Sequence, residues 1–468
     1  MGNKNIIVGR DALGAPLRDS INAREACLKS LVNYEKDKKY SNIELNDSVE
    51  KYNFNDLDRS FFTKLFYGVI EKKLTLDYYI KILCDKNQKI DIEILIILRM
   101  GLYQILYMDK VPDNATCDES VGLAKKSKPK NIKIGGFVNA VLRNFIRNKD
   151  EILGNIDKIN DFYKHLEIKY SCSSDIIKIW GESYGREICE KLLEASQKQS
   201  KLTITVNSLK ISRDCYLDKL LALNINAEKT GISPLGIIIN DDIPVKNLYG
   251  YDAGLFFVQD EASQICATET NAKPGDLIVD CCAAPGGKSF FMAQMMQNNG
   301  RIICFDVHEN KLKLIKDSAK RLGIDIIETY EHDSTKPLSA LPPPPFKRGL
   351  VGDGVLDVPQ ADVVLCDVPC SGFGVINKKP EIKYKTIDEI SELPKLQFNI
   401  LSTCSNYVKP GGTLIYSTCT LNKKENEEVA EKFLNENRNF KCENIKTFFP
   451  FERKIDGFFL VKMKRIGV

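Results

Sequence analysis

Apolar and polar positions follow two different periods along the chain, and the change between them predicts separate domains. Up to residue 150, apolar residues recur every three or four positions, as in 57–70 and 92–108. This spacing is typical of helices that bury one face. Segments 22–28 and 140–146 predict further helices, so we expect an all-α domain over residues 22–150.

The middle of the chain, residues 151–245, mixes both periods. A helix is predicted over 175–194, whereas residues 202–206 alternate like a strand with one exposed face. We therefore expect a small α/β segment here, between two larger domains.

From residue 246 to residue 468, short apolar runs of β type alternate with helical segments such as 289–297 and 309–322. This alternation predicts a parallel α/β sheet with a ligand at the carboxyl ends of its strands. The predicted strands are 277–280, 301–306, 325–330, 362–367 and 413–417.

Two stretches match neither period. Residues 1–21 form an N-terminal extension without periodicity, and residues 341–360 contain four consecutive prolines followed by a glycine-rich run. Proline continues neither a helix nor a central strand, so 341–360 is predicted to be a surface loop inserted between two strands.

The composition limits the number of domains and the kinds of partner. A chain of 468 residues with 43% apolar content is long enough for about three domains. The formal charge of +4 indicates no overall affinity for polyanions. Residues 121–150, however, carry a net +7. That basic stretch is either a solvated helical face or a phosphate-binding patch.

The cysteines and the longest apolar stretch bear on location. Fifteen cysteines are scattered without a C-x-x-C pair or a zinc-binding pattern, so we expect no metal. No signal-peptide core is present, and Arg99 interrupts the apolar stretch 92–108, which favours a buried helix over a membrane span. Reduced thiols and the missing export signal predict a cytoplasmic protein with no membrane partner.

A glycine turn after the first predicted strand of the sheet, residues 280–288, is the candidate cofactor site. Glycine permits a tight turn and close approach of a ligand, and the helix that follows presents its amides. Asp306 ends the next strand, where a ribose-binding acid is expected. Asp333 follows the third strand and Asp367 ends the fourth. The G-x-x-x-x-G-K-[ST] motif of nucleoside-triphosphate sites is missing.

Two cysteines, Cys370 and Cys419, each follow a predicted strand of this sheet. A free cysteine is most often a small buried hydrophobe. At a strand end beside a ligand, however, a thiolate is placed to add to an electrophilic carbon. Asp367 is placed to hydrogen-bond a polar substrate edge, or else to cap a turn.

Three motifs resemble those of RNA cytosine-5 methyltransferases, which use S-adenosylmethionine. They are Cys-Cys-Ala-Ala-Pro-Gly-Gly-Lys at 281–288, Asp-Val-Pro-Cys-Ser-Gly at 367–372 and Ser-Thr-Cys at 417–419. The segments 258–261, 379–383 and 456–459 also resemble the family. Residues 111–113 and 135–144 are similar to the NusB-like domain of one branch, the bacterial 16S ribosomal RNA enzymes of the Sun/Fmu type. The resemblance covers roughly residues 22–465.

The resemblance implies a Rossmann-like catalytic domain and a role for each matching residue. Cys419 would be the nucleophile that adds to C6 of the target cytosine, and Cys370 would help to eliminate the enzyme. Asp367 would bind the cytosine edge and border the cofactor, Asp306 would hold its ribose and Asp333 would lie near its adenine. The residues that would hold S-adenosylmethionine in the glycine turn are Cys282, Ala283, Ala284, Pro285, Gly286, Gly287 and Lys288.

The sequence departs from the family at Val368, Phe373 and Thr205, which replace an alanine, a threonine and an arginine. None of these changes removes a proposed catalytic group. The implied partner is 16S ribosomal RNA, either naked or in a partly assembled small subunit, and the enzyme is expected to be monomeric. Two alternatives stay open: methylation of transfer RNA or another ribosomal site, and RNA binding without catalysis.

Overall fold

The computed structural model describes residues 21–37, 41–84, 89–198, 200–338, 360–453 and 455–467. The predicted extension and the predicted inserted loop lie outside this described part, except for Ile21 and Gln360. The chain forms two compact units. One runs to Ser174 and includes Lys379–Lys383, and the other comprises Asp175–Lys378 and Tyr384–Val468.

The first unit is all-helical, as predicted. Polar residues begin several of its helices by capping free amides: the side chains of Asn55, Asp91 and Asp161 each accept a backbone N–H of the first turn. The helices are α1 (Ala23–Asp37), α2 (Ser41–Tyr52), α3 (Asp56–Glu71), α4 (Lys73–Leu83), α5 (Ile92–Tyr107), α6 (Asp113–Ser127), α7 (Ile134–Arg147), α8 (Lys149–Gly154) and α9 (Phe162–Tyr170).

Helix α5 is the centre of this unit, and its one internal charge is neutralised locally. Arg99 is buried, and its guanidinium donates to Asp77 at 2.6 and 2.8 Å and to Glu35 at 2.9 Å. Paired in this way, an arginine is tolerated in an apolar helix. The interpretation of 92–108 as a buried helix is confirmed. Within the described ranges no helix is long and apolar enough to cross a membrane.

The segment Lys379–Lys383 comes from the second half of the sequence but is built into the helical unit. Glu381 accepts a hydrogen bond from Ser41 Oγ at 2.7 Å, and the Lys383 carbonyl accepts one from the Ser173 amide at 2.8 Å. The Lys383 ammonium is fully buried, 3.7 Å from Glu71. Burial lowers the pKa of Lys383 to about 8.

The second unit begins with a small α/β part, as predicted. Its helices are α10 (Ser174–Tyr184), α11 (Arg186–Ala195) and α12 (Arg213–Ala222). Its strands are β1 (Leu202–Val206), β2 (Ala227–Lys229), β3 (Gly236–Ile239) and β4 (Phe256–Val258), in the antiparallel order β2-β3-β1-β4.

Two details of the prediction for this part are wrong. The single helix expected over 175–194 is two helices, because Gly185 between them has a φ of +82° that a helix does not accommodate. Strand β1 is buried on both faces and not half-exposed. Its polar Thr205 is satisfied by donating to Gln259 Oε1 at 2.8 Å, which explains how a threonine fits there.

The large sheet carries the candidate site. Its strands are β5 (Leu277–Asp280), β6 (Arg301–Asp306), β7 (Ile327–Glu331), β8 (Ala361–Asp367), β9 (Val408–Thr418), β10 (Phe440–Phe448) and β11 (Phe458–Arg465). The helices of this part are α13 (Glu261–Glu269), α14 (Gly287–Met295), α15 (Glu309–Leu322), α16 (Ile387–Ile390), α17 (Leu393–Ser405) and α18 (Glu427–Glu436).

Strand order in this sheet is β10-β11-β9-β8-β5-β6-β7. The five predicted strands are present and mutually parallel, and separate apolar clusters cover the two faces. The expectation of a purely parallel sheet is wrong at one edge, where β11 and β10 run antiparallel. Parallel strands place their carboxyl ends at one edge of a sheet, so the ends of β5, β6, β8 and β9 lie together.

Candidate active site

The glycine turn joins β5 to α14 in a conformation that its sequence specifies. Gly286 has a φ of +103°, and a Cβ there would lie 2.5 Å from the Phe290 ring. Its amide donates to the Ala283 carbonyl at 2.7 Å, and the Ala283 amide donates to the Phe305 carbonyl of β6 at 2.8 Å. The turn is thus fixed to the neighbouring strand, with α14 beginning at Gly287. This geometry fits a ligand held against backbone at a helix N-terminus.

Asp280, the last residue of β5, links the start of this turn to α14 by a hydrogen bond. It is 1% exposed, and its Oδ2 accepts from Ser289 Oγ at 2.6 Å. Burial raises the pKa of Asp280 to about 7, although the Ser289 hydrogen bond opposes the rise. Asp280 had no predicted role of its own, although its position inside the glycine motif was a signal.

Lys288 and Asp367 form an ion pair across the site. Lys288 Nζ lies 2.6 Å from Asp367 Oδ2, and Asp367 Oδ1 accepts from Ser417 Oγ at 2.8 Å. Burial alone lowers the pKa of Lys288, but the Asp367 carboxylate more than offsets this and the net shift is upward. The lysine therefore stays charged and holds the Asp367 carboxylate at the end of β8.

The two predicted thiols lie side by side. Cys370 Sγ and Cys419 Sγ are 3.2 Å apart, and both residues are partly buried. The register that pairs Asp367 on β8 with Ser417 on β9 brings the two strand ends level and explains this contact. The hydrogen bond with Cys419, together with burial, raises the pKa of Cys370 well above its usual value. Either sulfur can be the donor in this contact.

The remaining predicted acids differ in their setting. Asp306 ends β6 with an 11% exposed side chain, accepts the His308 amide at 3.1 Å and lies 3.9 Å from Lys311. Asp333 lies in a turn, where it accepts from Thr335 and pairs with Lys336 at 3.2 Å. Its side chain is 39% exposed. Both follow strands at the same edge of the sheet, but Asp333 is the more open of the two.

Val368 and Phe373, two of the residues that depart from the family pattern, are buried and packed. Val368 is buried beside the strand ends. Phe373 is 2% exposed and packs edge-on against Trp180 at a centroid distance of 6.4 Å. Its backbone N–H also donates to Thr420 Oγ1 at 3.2 Å. The phenylalanine thus packs between this loop and α10.

Three further cysteines form a buried cluster that their sequence positions did not indicate. The Sγ atoms of Cys281, Cys366 and Cys404 lie within 4.8 Å of one another. They belong to the apolar core that includes Val364 and Leu401. Buried thiols in such surroundings behave as small hydrophobes. The expectation that the protein uses no metal stays a prediction.

Glu425 and Asn426, between β9 and α18, are polar residues of the site that the sequence analysis missed. Both are fully buried, and their side chains bind the loops that carry Cys370 and Cys419. Their signal was weak, because an acidic residue near a helix start ordinarily predicts a solvated cap.

Comparison with known proteins gives the class of this arrangement. A family model described as 16S rRNA methyltransferase RsmB/F matches residues 267–464. Models described as the NusB family and as a Methyltr_RsmF/B-like, ferredoxin-like domain match residues 21–147 and 175–246. The protein is therefore a Rossmann-like methyltransferase that carries a NusB domain and a ferredoxin-like domain.

Relatives match the chain over nearly its whole length. The probable ribosomal RNA small subunit methyltransferase B of Bacillus subtilis (strain 168) is 35% identical over 95% of this chain and 99% of its own. The protein of the same description from Synechocystis is 30% identical over 95% and 100%. The chain belongs to the 16S rRNA methyltransferase RsmB/F family.

Solved structures support the fold. The crystal structure of PH0851 covers 95% of this chain and 98% of its own with a TM-score of 0.76 and 24% identity. A methyltransferase homolog protein from Pyrococcus horikoshii covers 66% of this chain and 100% of its own with a TM-score of 0.56 and 25% identity. The first likeness includes the helical domain as well as the sheet, because it extends over nearly the full chain.

Proposed function

We propose that this protein transfers a methyl group from S-adenosylmethionine to C5 of a cytosine in 16S ribosomal RNA, through a covalent bond between Cys419 and C6. The observation that carries the proposal is the contact of Cys419 with Cys370 at 3.2 Å, beside the Asp367–Lys288 ion pair. A nucleophile, a proton-bearing partner and a charged anchor for the base are thereby present at one edge of the sheet.

Cys419 is the attacking sulfur. C5 of cytosine is a poor nucleophile, and addition of a thiolate at C6 gives it the enamine character needed to accept a methyl group. Burial and the contact with Cys419 raise the pKa of Cys370. We infer that Cys370 keeps its proton and would donate to Cys419, so that it lowers the charge on that sulfur without competing for C6. After transfer, a base takes the proton from C5, the electron pair of that C–H bond re-forms the C5–C6 double bond, and the sulfur leaves C6 as a thiolate. Cys370 is placed to assist that departure by its hydrogen bond.

Asp367 anchors the base. Its carboxylate is positioned to accept from the exocyclic amino group of cytosine, which distinguishes this base from uracil. Addition of sulfur places negative charge on the ring, and the Lys288 ammonium 2.6 Å from Asp367 offsets it. A base in structured RNA must be unstacked to reach these groups.

The glycine turn and Asp306 are the proposed cofactor site. S-adenosylmethionine supplies the methyl group as an electrophilic sulfonium substituent. Cys282, Ala283, Ala284, Pro285, Gly286 and Gly287 would hold it by backbone, while Asp306 would accept from its ribose hydroxyls. Asp333 would lie near the adenine. Lys288 belongs to the same predicted set, and its ammonium, which donates to Asp367, would also face the base site.

Asp306→Ala is expected to weaken S-adenosylmethionine binding, because the ribose hydroxyls lose a charged acceptor. The loss should be about 1.5–3 kcal/mol, or one to two orders of magnitude in Kd. Calorimetric titration measures it directly. Asp317→Ala is the matched control, since Asp317 is an exposed aspartate on α15. Equal affinity of the two variants would contradict the role of Asp306.

The basic stretch of residues 121–150 is expected to contact RNA phosphates. Lys130, Lys133 and Arg147 are exposed on and before α7. Changing all three to glutamine should weaken RNA binding and reduce the slope of log K against log salt by about two to three, because fewer counterions are released. Changing the exposed Lys313, Lys316 and Lys320 of α15 to glutamine removes the same charge elsewhere. Equal slopes in both variants would make the stretch a solvated face.

Methyl transfer is tested with tritiated S-adenosylmethionine and total RNA, followed by bisulfite sequencing of 16S ribosomal RNA from cells with and without the protein. The proposal expects label in 16S RNA and one protected cytosine that depends on the protein. Label in transfer RNA would change the substrate, and RNA binding without label would leave a binding protein. The partly assembled subunit as substrate, the monomeric state and the cytoplasmic location stay predictions.

A further inference from the structure

Two adjacent residues, Glu425 and Asn426, lie just before α18, six and seven positions after Cys419. Both are 0% exposed, although one is a carboxylic acid. A buried carboxylate is unfavourable unless donors surround it. The structure supplies those donors, and they come from the loops that carry the reactive thiols and from Gln397 of α17.

Glu425 binds the loop of Cys370. Its Oε2 accepts the Ser371 backbone N–H at 2.8 Å and Gln397 Nε2 at 2.9 Å, and its Oε1 accepts Asn422 Nδ2 at 2.8 Å. Gln397 Nε2 also donates to the Pro369 carbonyl at 2.9 Å. The residues on both sides of Cys370 are therefore held, directly or through Gln397, by one carboxylate.

Asn426 binds the loop of Cys419 in the same way. Its Oδ1 accepts from Thr418 Oγ1 at 2.6 Å, and its Nδ2 donates to the Thr420 carbonyl at 3.0 Å. The residues on both sides of Cys419 are thus held by one amide. Because this amide donates on one side and accepts on the other, an aspartate cannot reproduce both bonds.

The two loops are also bonded to each other. Ser371 Oγ and Thr420 Oγ1 are 2.6 Å apart, and the Gly374 amide donates to the Cys419 carbonyl at 3.0 Å. These bonds bring the loops together, and one of them is made by Cys419 itself. Glu425 and Asn426 add to them, because each binds the residues that flank one thiol.

We propose that Glu425 and Asn426 are positioning residues, each for one thiol: Glu425 orients Cys370 for release of the enzyme, and Asn426 orients Cys419 for attack on C6. The assignment of release and attack rests on the proposed function. The assignment of each residue to its thiol rests on the hydrogen bonds alone. The strand register brings the two sulfurs together, and the dipeptide holds the residues that flank each of them.

Substitutions of the two residues should therefore affect different steps of the reaction. Glu425→Gln keeps the shape but replaces the charged acceptor of the Ser371 N–H and of Gln397 by a neutral amide oxygen, which weakens the hold on the Cys370 loop. Addition should proceed while the RNA adduct breaks down about tenfold more slowly. Asn426→Asp also keeps the shape but loses the bond to the Thr420 carbonyl. Adduct formation should slow about tenfold to a hundredfold, since small displacements of reacting groups have effects of that size.

The reaction is followed with full-length protein and 16S ribosomal RNA in single-turnover experiments, in which denaturing gels measure adduct formation and decay. Circular dichroism and S-adenosylmethionine affinity, both expected to stay unchanged, show that each variant is folded. Glu428→Gln is the matched control, because Glu428 is an exposed glutamate in the first turn of α18. Equal effects of Glu425→Gln and Asn426→Asp on both steps would overturn the division of roles.

A second readout does not depend on the chemistry of methylation. Free enzyme is treated with iodoacetamide, and the alkylation rates of Cys370 and Cys419 are measured by mass spectrometry of their peptides. Glu425→Gln should change the rate at Cys370 by severalfold and leave Cys419 nearly unchanged, and Asn426→Asp should do the reverse. If that selectivity appears but Glu425→Gln slows adduct formation, the positioning stands and the proposed roles of the thiols are reversed. If neither variant shows selectivity, the positioning is overturned.

Discussion

Cys419→Ala is expected to abolish methyl transfer and to leave no RNA covalently attached to the protein. Without the Cys419 thiolate nothing adds to C6, and C5 stays too weak a nucleophile to take the methyl group. The Cys370 sulfur, 3.2 Å away, is not expected to substitute, because burial still raises its pKa when the hydrogen bond with Cys419 is lost. Transfer of tritiated methyl to RNA and a denaturing gel measure both outcomes.

Cys370→Ala should behave differently. Addition through Cys419 and methylation continue, but release stalls, so RNA accumulates on the protein as a slow band on the gel. Cys215→Ala, at an exposed thiol of α12, serves as control and should change neither turnover nor adduct. An adduct with Cys419→Ala and none with Cys370→Ala would show that the roles are reversed. Normal turnover of both variants would make the thiols structural.

The fold was predictable where hydrophobic periodicity and burial agree. Strands β5 and β6 and helix α15 begin and end at the predicted residues, because their apolar runs are bounded by aspartate or glycine. Strand β10 was missed, since it alternates buried and exposed positions with charged residues such as Lys441 and Glu443. Lys379–Lys383 lies among the N-terminal helices because of hydrogen bonds between residues more than 200 positions apart in the sequence. Local sequence patterns contain no information about such contacts.

The site was predictable to the level of strand ends and no further. Cys370, Cys419 and Asp367 follow apolar runs, and the parallel sheet brings them together. The pairing of Lys288 with Asp367 was not predictable, because it depends on how α14 leaves the glycine turn. Glu425 and Asn426 were missed for a related reason: polarity predicts exposure, and their burial results from donors far away in the sequence.

Asp367→Asn is expected to lower the rate of methyl transfer by about two to three orders of magnitude, the usual effect of removing a charge that orients a reacting group. Asparagine keeps an acceptor for Ser417. It has no negative charge with which to bind Lys288 or the cytosine amino group. Affinity for S-adenosylmethionine should fall less than the rate, because Asp306 keeps its place at the ribose and Asp367 only borders the cofactor. Single-turnover transfer and calorimetric titration measure these two quantities separately.

The same substitution should also destabilise the protein, and this second effect allows a sharper test. Lys288 loses its partner while buried, which costs about 3 kcal/mol, the lower end for a broken buried ion pair because Asp367 is 28% exposed. Replacing Lys288 by methionine as well removes the unpaired charge. The double variant should therefore recover most of the lost free energy of unfolding in urea titrations, yet stay as inactive as Asp367→Asn. Recovery of both stability and activity would show that the ion pair only supports the fold and that Asp367 does not anchor the base.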